Sequence, residues 1–404
     1  MKNFIKFTQN YIFVFLYLGL FFINSIEIID RAAQYWFSIS LLNLCLFIYL
    51  YLSGNIKASF VKPLFRDKII LSFLLFLSAA LVSVFFSYNI SESFVVLSRW
   101  VTSFLSIVLL SIYLYNSSFK IFSLIISFFF LFELYFTFKG YLSIISQTVY
   151  TFDFAIYLAG IGANKNITAA LFCMQLPFLF FLALNFKNYV FKFFFSLLLA
   201  LSFYNVFILG SRTAILIVLA QTFLFLGISL FNLKKIKSLS FSLVGYFSTW
   251  VFPLLLSLFI YTSSVSSSNN SSLVYRVSSI EIDNASVSER IKFYNYTLDY
   301  IMSNPFTPLG IGNWKISSVK WDAPVLKGYT VPYQAHNDFL ELASEVTIFG
   351  ALFYFGVFFF TAFQLFKLIN RTKSSNDFFF YVALLLSGSA FFIDSFFNSE
   401  ANSF

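Results

Sequence analysis

Charge is scarce in this 404-residue chain: Asp, Glu, Lys and Arg make up 11% of it, where a soluble domain carries about 25%. With 59% apolar residues, a soluble globular protein is excluded. Histidine occurs once, and the two cysteines, Cys45 and Cys173, both fall inside apolar runs. Neither a disulfide framework nor a thiol-based or imidazole-rich metal site can be built from so few ligands. What the chain does have is apolar runs of about 20 residues, the length of a membrane-crossing helix, without the period-two alternation of barrel strands. The expected fold class is an all-α polytopic membrane protein with about 11–12 transmembrane helices. The net charge of +9 would raise the question of nucleic acid in a soluble chain. Spread over the loops between apolar runs it reports orientation instead, and no nucleic-acid partner is expected.

Predominantly apolar stretches lie near residues 11–29, 35–53, 69–88, 94–115, 119–137, 166–184, 189–208, 212–231, 239–260, 339–366 and 377–397. The first follows Lys2 and Lys6 but is too long for a signal peptide and lacks a small-x-small cleavage site, so it reads as a retained span. With the N-terminus cytoplasmic, 15 of the 26 Lys and Arg fall in cytoplasmic segments and 5 in or near short outer loops. That bias fixes the orientation, because long loops cross regardless of charge. Residues 1–260 thus hold transmembrane helices 1–9, residues 261–335 form a long outer loop, and residues 336–404 hold the C-terminal transmembrane helices. Within the loop, Ser263 to Ser272 reads as a flexible tether. A capping box from Ser286 to Glu289 then opens a surface helix over about 287–303. Its stripe of Ile291, Tyr294, Leu298 and Ile301 would face the spans, and the helix stops before Pro305. The connection from about Phe138 to Lys165 is also unusually long.

Three outer residues could carry chemistry. Arg212 sits in a Gly210-Ser211-Arg212 turn between two spans, where it either snorkels to the interface or offers a guanidinium fork to a phosphate. Arg290 near the start of the surface helix opposes the helix dipole unless an anion binds there; a solvated Arg paired with Glu289 or Asp283 is the alternative. His336, in His336-Asn337-Asp338, stands where the loop re-enters the membrane. Asn337 suits the N-cap of the incoming helix, and the dipole there favours a neutral, proton-accepting imidazole. Asp338, Glu341 and Glu345 line one face of that helix, and acids at membrane depth mark functional or paired positions. Arg99 either snorkels or adds a phosphate contact. Asn164 and Asn166, at the start of another span, would cap it or meet a sugar. Gly310-Ile311-Gly312-Asn313 is a tight turn without nucleotide-binding context. Pro177 and Pro253 would kink their helices.

In chain order, Gly162-Ala163-Asn164-Lys165-Asn166, the Gly-Ser-Arg turn, the loop-helix Arg, Pro305-x-x-Pro308-Leu-Gly-Ile-Gly-Asn-Trp314 and His336-Asn337-x-Phe339-Leu340 followed by Glu345 and Gly350 resemble the O-antigen ligase and O-antigen polymerase superfamily of bacterial inner-membrane glycan enzymes, whose fold is similar to GT-C membrane glycosyltransferases. Thr347 departs from the pattern, standing where relatives often have Gly. The chain also stops soon after the eleventh span where relatives have about twelve, so a truncated C-terminus is expected. The resemblance implies a metal-independent, inverting glycosyltransferase without a cofactor. It would move a glycan from an undecaprenyl-diphosphate carrier to a lipid A-core acceptor at the periplasmic face. Arg212 and Arg290 would clamp the diphosphate, His336 would act as the base, and Arg99, Asn164, Asn166, Asn337 and Glu345 would bind substrate. The alternatives are a polymerase that joins repeat units onto a growing glycan acceptor, and a lipid-linked oligosaccharide flippase.

Overall fold

The computed structural model describes residues 2–22, 31–115, 117–147, 152–158, 160, 164–238, 243–265, 285–322 and 333–397. Every regular element among them is helical. In chain order these are α1 (Lys2–Gly19), α2 (Arg31–Leu52), α3 (Ala58–Leu64), α4 (Lys68–Ser83), α5 (Ile90–Tyr113), α6 (Phe119–Ile145) and α7 (Lys165–Asn185). There follow α8 (Tyr189–Leu209), α9 (Arg212–Phe231), α10 (Leu233–Ser238), α11 (Leu243–Val265), α12 (Ala285–Ser303), α13 (Trp314–Asp322), α14 (Asp338–Arg371) and α15 (Ser375–Phe397). Ten of the described helices are long and apolar enough to cross a membrane, and they coincide with ten of the eleven expected spans. The second half of the remaining one, 11–29, lies largely outside the described residues, as does the Ser263–Ser272 tether from Ser266 on. The connection expected from Phe138 is helical as far as Ile145, because Tyr141 continues the buried face of α6 past Lys139.

The chain forms two compact units. The first comprises Met1–Asn116, Ile282–Thr361 and Ser395–Phe404. One core here joins α4, α5 and the first part of α14 through edge-on aromatic contacts, with Phe76 4.9 Å from Trp100 and Trp100 5.4 Å from Tyr354 between ring centroids. A smaller core joins α1, α2 and α5 around Leu46 and Leu50. Asn43, buried in α2, accepts from Tyr17 and Ser106 and donates to the Thr102 carbonyl, so its amide is satisfied within the protein.

The second unit comprises Ser117–Glu281 and Ala362–Asp394. α7 is apolar on all sides and is buried along nearly its whole length, as such a helix must be. Pro177 lacks an amide proton, which leaves the Cys173 carbonyl one turn earlier without its helical donor. The buried Gln221 side chain fills the gap, donating at 2.9 Å to both Cys173 and Leu386 carbonyls. Cys173 itself is a wholly buried packing residue whose thiol donates to the Ala214 carbonyl.

The expectation of one uninterrupted span over 339–366 is corrected at Thr347, where φ 74° and ψ 164° break the helical path of α14. Thirty-four residues would extend for about 51 Å, well beyond a hydrocarbon core of about 30 Å. Residues 348–371 alone cover about 36 Å, so a break near the start leaves enough helix to cross. The break frees the carbonyls of Ser344 and Glu345, and the amides of Leu309 (2.9 Å) and Gly310 (3.1 Å) take them up. This backbone region is almost exclusive to glycine and costs a β-branched residue about 1–3 kcal/mol. Thr347→Gly is therefore expected to raise stability by about 1 kcal/mol after glycine's own entropy cost. A thermal-unfolding scan in detergent checks this, and a lower midpoint in the variant would contradict it.

Candidate active site in the loop-bearing unit

Residues Pro308 to Trp314 build the floor of the site. Gly310 and Gly312 take φ of 91° and 78°, and both also lie too close to their surroundings for a side chain. A Cβ on Gly310 would come within 2.7 Å of the Ser87 backbone, and one on Gly312 within 2.6 Å of Val96. The turn is stitched to the start of α5. The Asn313 amide group accepts from the Asn89 N–H at 2.8 Å and donates to Ser93 at 2.7 Å, while Ser93 donates to the Ile311 carbonyl at 2.6 Å. Lys315 pairs with Glu92 at 2.6 Å. The Gly-Ile-Gly-Asn motif thus forms the expected tight turn and serves as a backbone plug between α5 and the break in α14.

Trp314 follows and is fully buried. Its main-chain N–H donates to Glu345 Oε1 at 2.8 Å, and its indole N–H donates to Thr297 Oγ1 of α12 at 2.9 Å. This anchor decides which face of α12 is covered. Thr297 and Ile301 are buried, with Phe293 edge-on to the indole at 5.9 Å. Ile291 and Leu298 are exposed, so only part of the expected apolar stripe turns inward. The helix itself matches the expected 287–303 closely, but it starts at Ala285. Ser286 is therefore inside the first turn and not at the cap, and its side chain lies outside the described residues.

Above this floor α12 presents Arg290 and Tyr294, one turn apart, toward the start of α14. His336 adopts a left-handed backbone with φ 58°, a region in which histidine is enriched among non-glycine residues. The residues on either side are held. Asn337 caps α14 by accepting the Leu340 N–H at 3.0 Å, and Glu341 reaches back to accept the Ala335 N–H at 2.8 Å. The Tyr294 hydroxyl donates to the His336 carbonyl at 2.9 Å and lies 3.3 Å from the Phe396 carbonyl. Arg290 Nη1 donates to the Phe397 carbonyl at 2.6 Å, at the negative end of the α15 dipole.

Burial, and then the positive charge of Arg290, push the His336 imidazole down from its usual 6.5 to about 4. The ring is therefore neutral at physiological pH and able to accept a proton. Asp338, Glu341 and Glu345 are all buried, with Glu341 and Glu345 engaged in the main-chain bonds described above. Among the described residues no three His, Cys, Asp or Glu side chains gather to hold a metal ion.

Of the residues picked out in the sequence, His336, Arg290 and Asn337 come together, and Glu345 supports the floor beneath them. Arg99 lies on α5 of the same unit, half-buried. Arg212, Asn164 and Asn166 belong to the second unit. There α8 ends on left-handed Gly210 (φ 60°), and Ser211 caps α9 by accepting the Ala214 N–H, so Arg212 is the first helical residue. Asn164 caps α7 by accepting the Asn166 N–H at 2.8 Å.

Tyr294 and the clamp from Glu341 to Ala335 were not recognised as site features in the sequence. Tyr294 counted as part of an apolar stripe, although its spacing of four from Arg290 was a usable signal.

A search of curated proteins found no match to the chain. Residues 197–355 match the family model described as O-antigen ligase, a stretch that contains Arg212, Arg290, His336, Asn337 and Glu345. Over that stretch the chain is similar to the O-antigen ligases, which bears out the resemblance carried by the motifs that lie within it.

Proposed function

We propose that this chain transfers a glycan from an undecaprenyl-diphosphate carrier to lipid A-core at the periplasmic face of the bacterial inner membrane. The observation that carries the reading is the placement of a neutral imidazole beside the Arg290 guanidinium on a braced turn. In the transfer, the acceptor hydroxyl oxygen attacks the anomeric carbon and its proton passes to the His336 imidazole. The bond from that carbon to the diphosphate breaks, and the carrier diphosphate leaves with the electron pair. Attack opposite the leaving group inverts the anomeric centre.

Arg290 supports this chemistry by offering two parallel N–H groups to the diphosphate as its negative charge grows. A base near 4 is weak, but a diphosphate bound at Arg290 offsets the guanidinium charge and lifts the imidazole toward the working pH. Diphosphate is a good leaving group, so cationic side chains suffice without a metal. For Arg212 the support is local: a guanidinium on the first residue of α9, beside the Gly210-Ser211 turn, suits a phosphate. Asn164, Asn166 and Arg99 keep the substrate-binding roles their motifs imply.

The experiment is an analysis of lipopolysaccharide from a strain lacking the chain. A ligase predicts core without any O-chain, restored by the wild-type gene. A single repeat unit on the core would identify a polymerase instead. Transport of labelled carrier lipid by the purified protein, without any glycan transfer, would identify a flippase.

A further inference from the structure

We infer that Tyr294 is a positioning residue for His336, setting the imidazole through the main chain; this rests on the transfer reading above. Three segments meet at its hydroxyl: α12, the turn that precedes α14 and the last turn of α15. The hydroxyl donates to the His336 carbonyl at 2.9 Å, with the Phe396 carbonyl at 3.3 Å on its other side. One turn earlier on the same helix, Arg290 bonds the next carbonyl, that of Phe397, at 2.6 Å. The terminal carbonyls of α15 thus register Arg290 and Tyr294 together, and Tyr294 passes that register to His336.

The tie matters because the backbone at His336 is left-handed, with φ 58°. An L-residue holds that conformation only when its surroundings fix it. Asn337 and Glu341 fix the residues after and before it, and the Tyr294 hydroxyl bonds the His336 peptide itself. Burial raises the Tyr294 hydroxyl above its usual value of 10.0, so it stays protonated and remains a donor at every physiological pH. Tyr294 does not touch the reacting atoms. It decides how close the ring stands to Arg290 and how deeply it is buried.

Tyr294→Phe tests this, because the ring is kept and only the hydroxyl is removed. In purified full-length protein, kcat is expected to fall about tenfold with KM little changed, since the base is displaced and the carrier's contacts remain. The acidic limb of the pH–rate profile is expected to move upward, because a ring farther from Arg290 and less buried regains part of its ordinary basicity. A purely structural bond would leave that limb where it is in the wild type. Wild-type kcat with an unmoved acidic limb would overturn the assignment, and so would failure of the Phe variant to fold, which would make the hydroxyl a structural bond. His336→Ala in the same assay separates the two levels. If it transfers at the wild-type rate, the base assignment itself fails; if it is inactive while Tyr294→Phe is normal, only the positioning role fails.

Discussion

Replacing His336 by Ala is expected to slow glycan transfer by about 10²-fold or more, the contribution of a positioned general base. The structural bonds described at this turn are made by main-chain groups: the His336 carbonyl to Tyr294, the Ala335 N–H to Glu341 and the Leu340 N–H to Asn337. Shortening the side chain at 336 leaves these bonds in place. Alanine is less comfortable than histidine with φ 58°, so His336→Asn is the better companion variant. Asparagine tolerates the left-handed backbone and is no base. Both variants are expected to bind the carrier and to lack transfer, and near-normal transfer in either would remove His336 from the chemistry.

The pH dependence has a definite sign. The imidazole must be neutral to accept the acceptor's proton, so the wild-type rate falls as pH drops through its value in the substrate complex. On the transfer reading proposed above, that value is expected above the approximately 4 of the free site, because a bound diphosphate would offset the charge of Arg290. Stability follows the same direction. Between about 6.5 and about 4 the unfolded chain binds a proton that the folded chain refuses, so His336 makes the fold progressively less stable as pH falls through that window.

Arg290→Lys is expected to be nearly as damaging as loss of the base, with transfer reduced by about 10²-fold. The charge is kept, so a role as a mere surface cation predicts no loss. A lysine ammonium is a point charge and does not reproduce the planar fork that meets two phosphate oxygens at once. It also gives up the geometry with which Arg290 bonds the Phe397 carbonyl while remaining next to His336. Kinetics with a short-chain isoprenyl-diphosphate glycan check the prediction. Wild-type kcat/KM in the Lys variant would place Arg290 outside the site.

The positions of the spans were legible in the sequence because a membrane leaves few solutions: about 20 apolar residues crossing as helix. The helix α12 was legible to within two residues at its start, and the capping role of Asn337 was legible from its residue type and place. The break at Thr347 was not, since a β-branched residue in an apolar run signals neither a turn nor a positive φ. The departure from Gly at this position was visible, but its meaning depends on the amides of Leu309 and Gly310, which arrive from about 35 residues earlier in the chain. Tyr294 was hidden for a similar reason. Helical spacing shows which residues share a face, while the carbonyls that face meets, at 336 and 396, come from distant segments. Trp314 made the difference at α12: by binding Thr297 it turns Ile291 and Leu298 outward, which no hydrophobic pattern within the helix could foretell.

Because His336 is the only histidine in the chain, protein made without a histidine tag and labelled in the imidazole ring gives a single ring signal. Titrating that signal by NMR, with and without an isoprenyl diphosphate, tests most directly whether the base and the diphosphate share a site. Titration near 4 in the free protein, moving upward when the diphosphate is added, is the predicted result. A ring that titrates near 6.5 and does not respond to the diphosphate would contradict it.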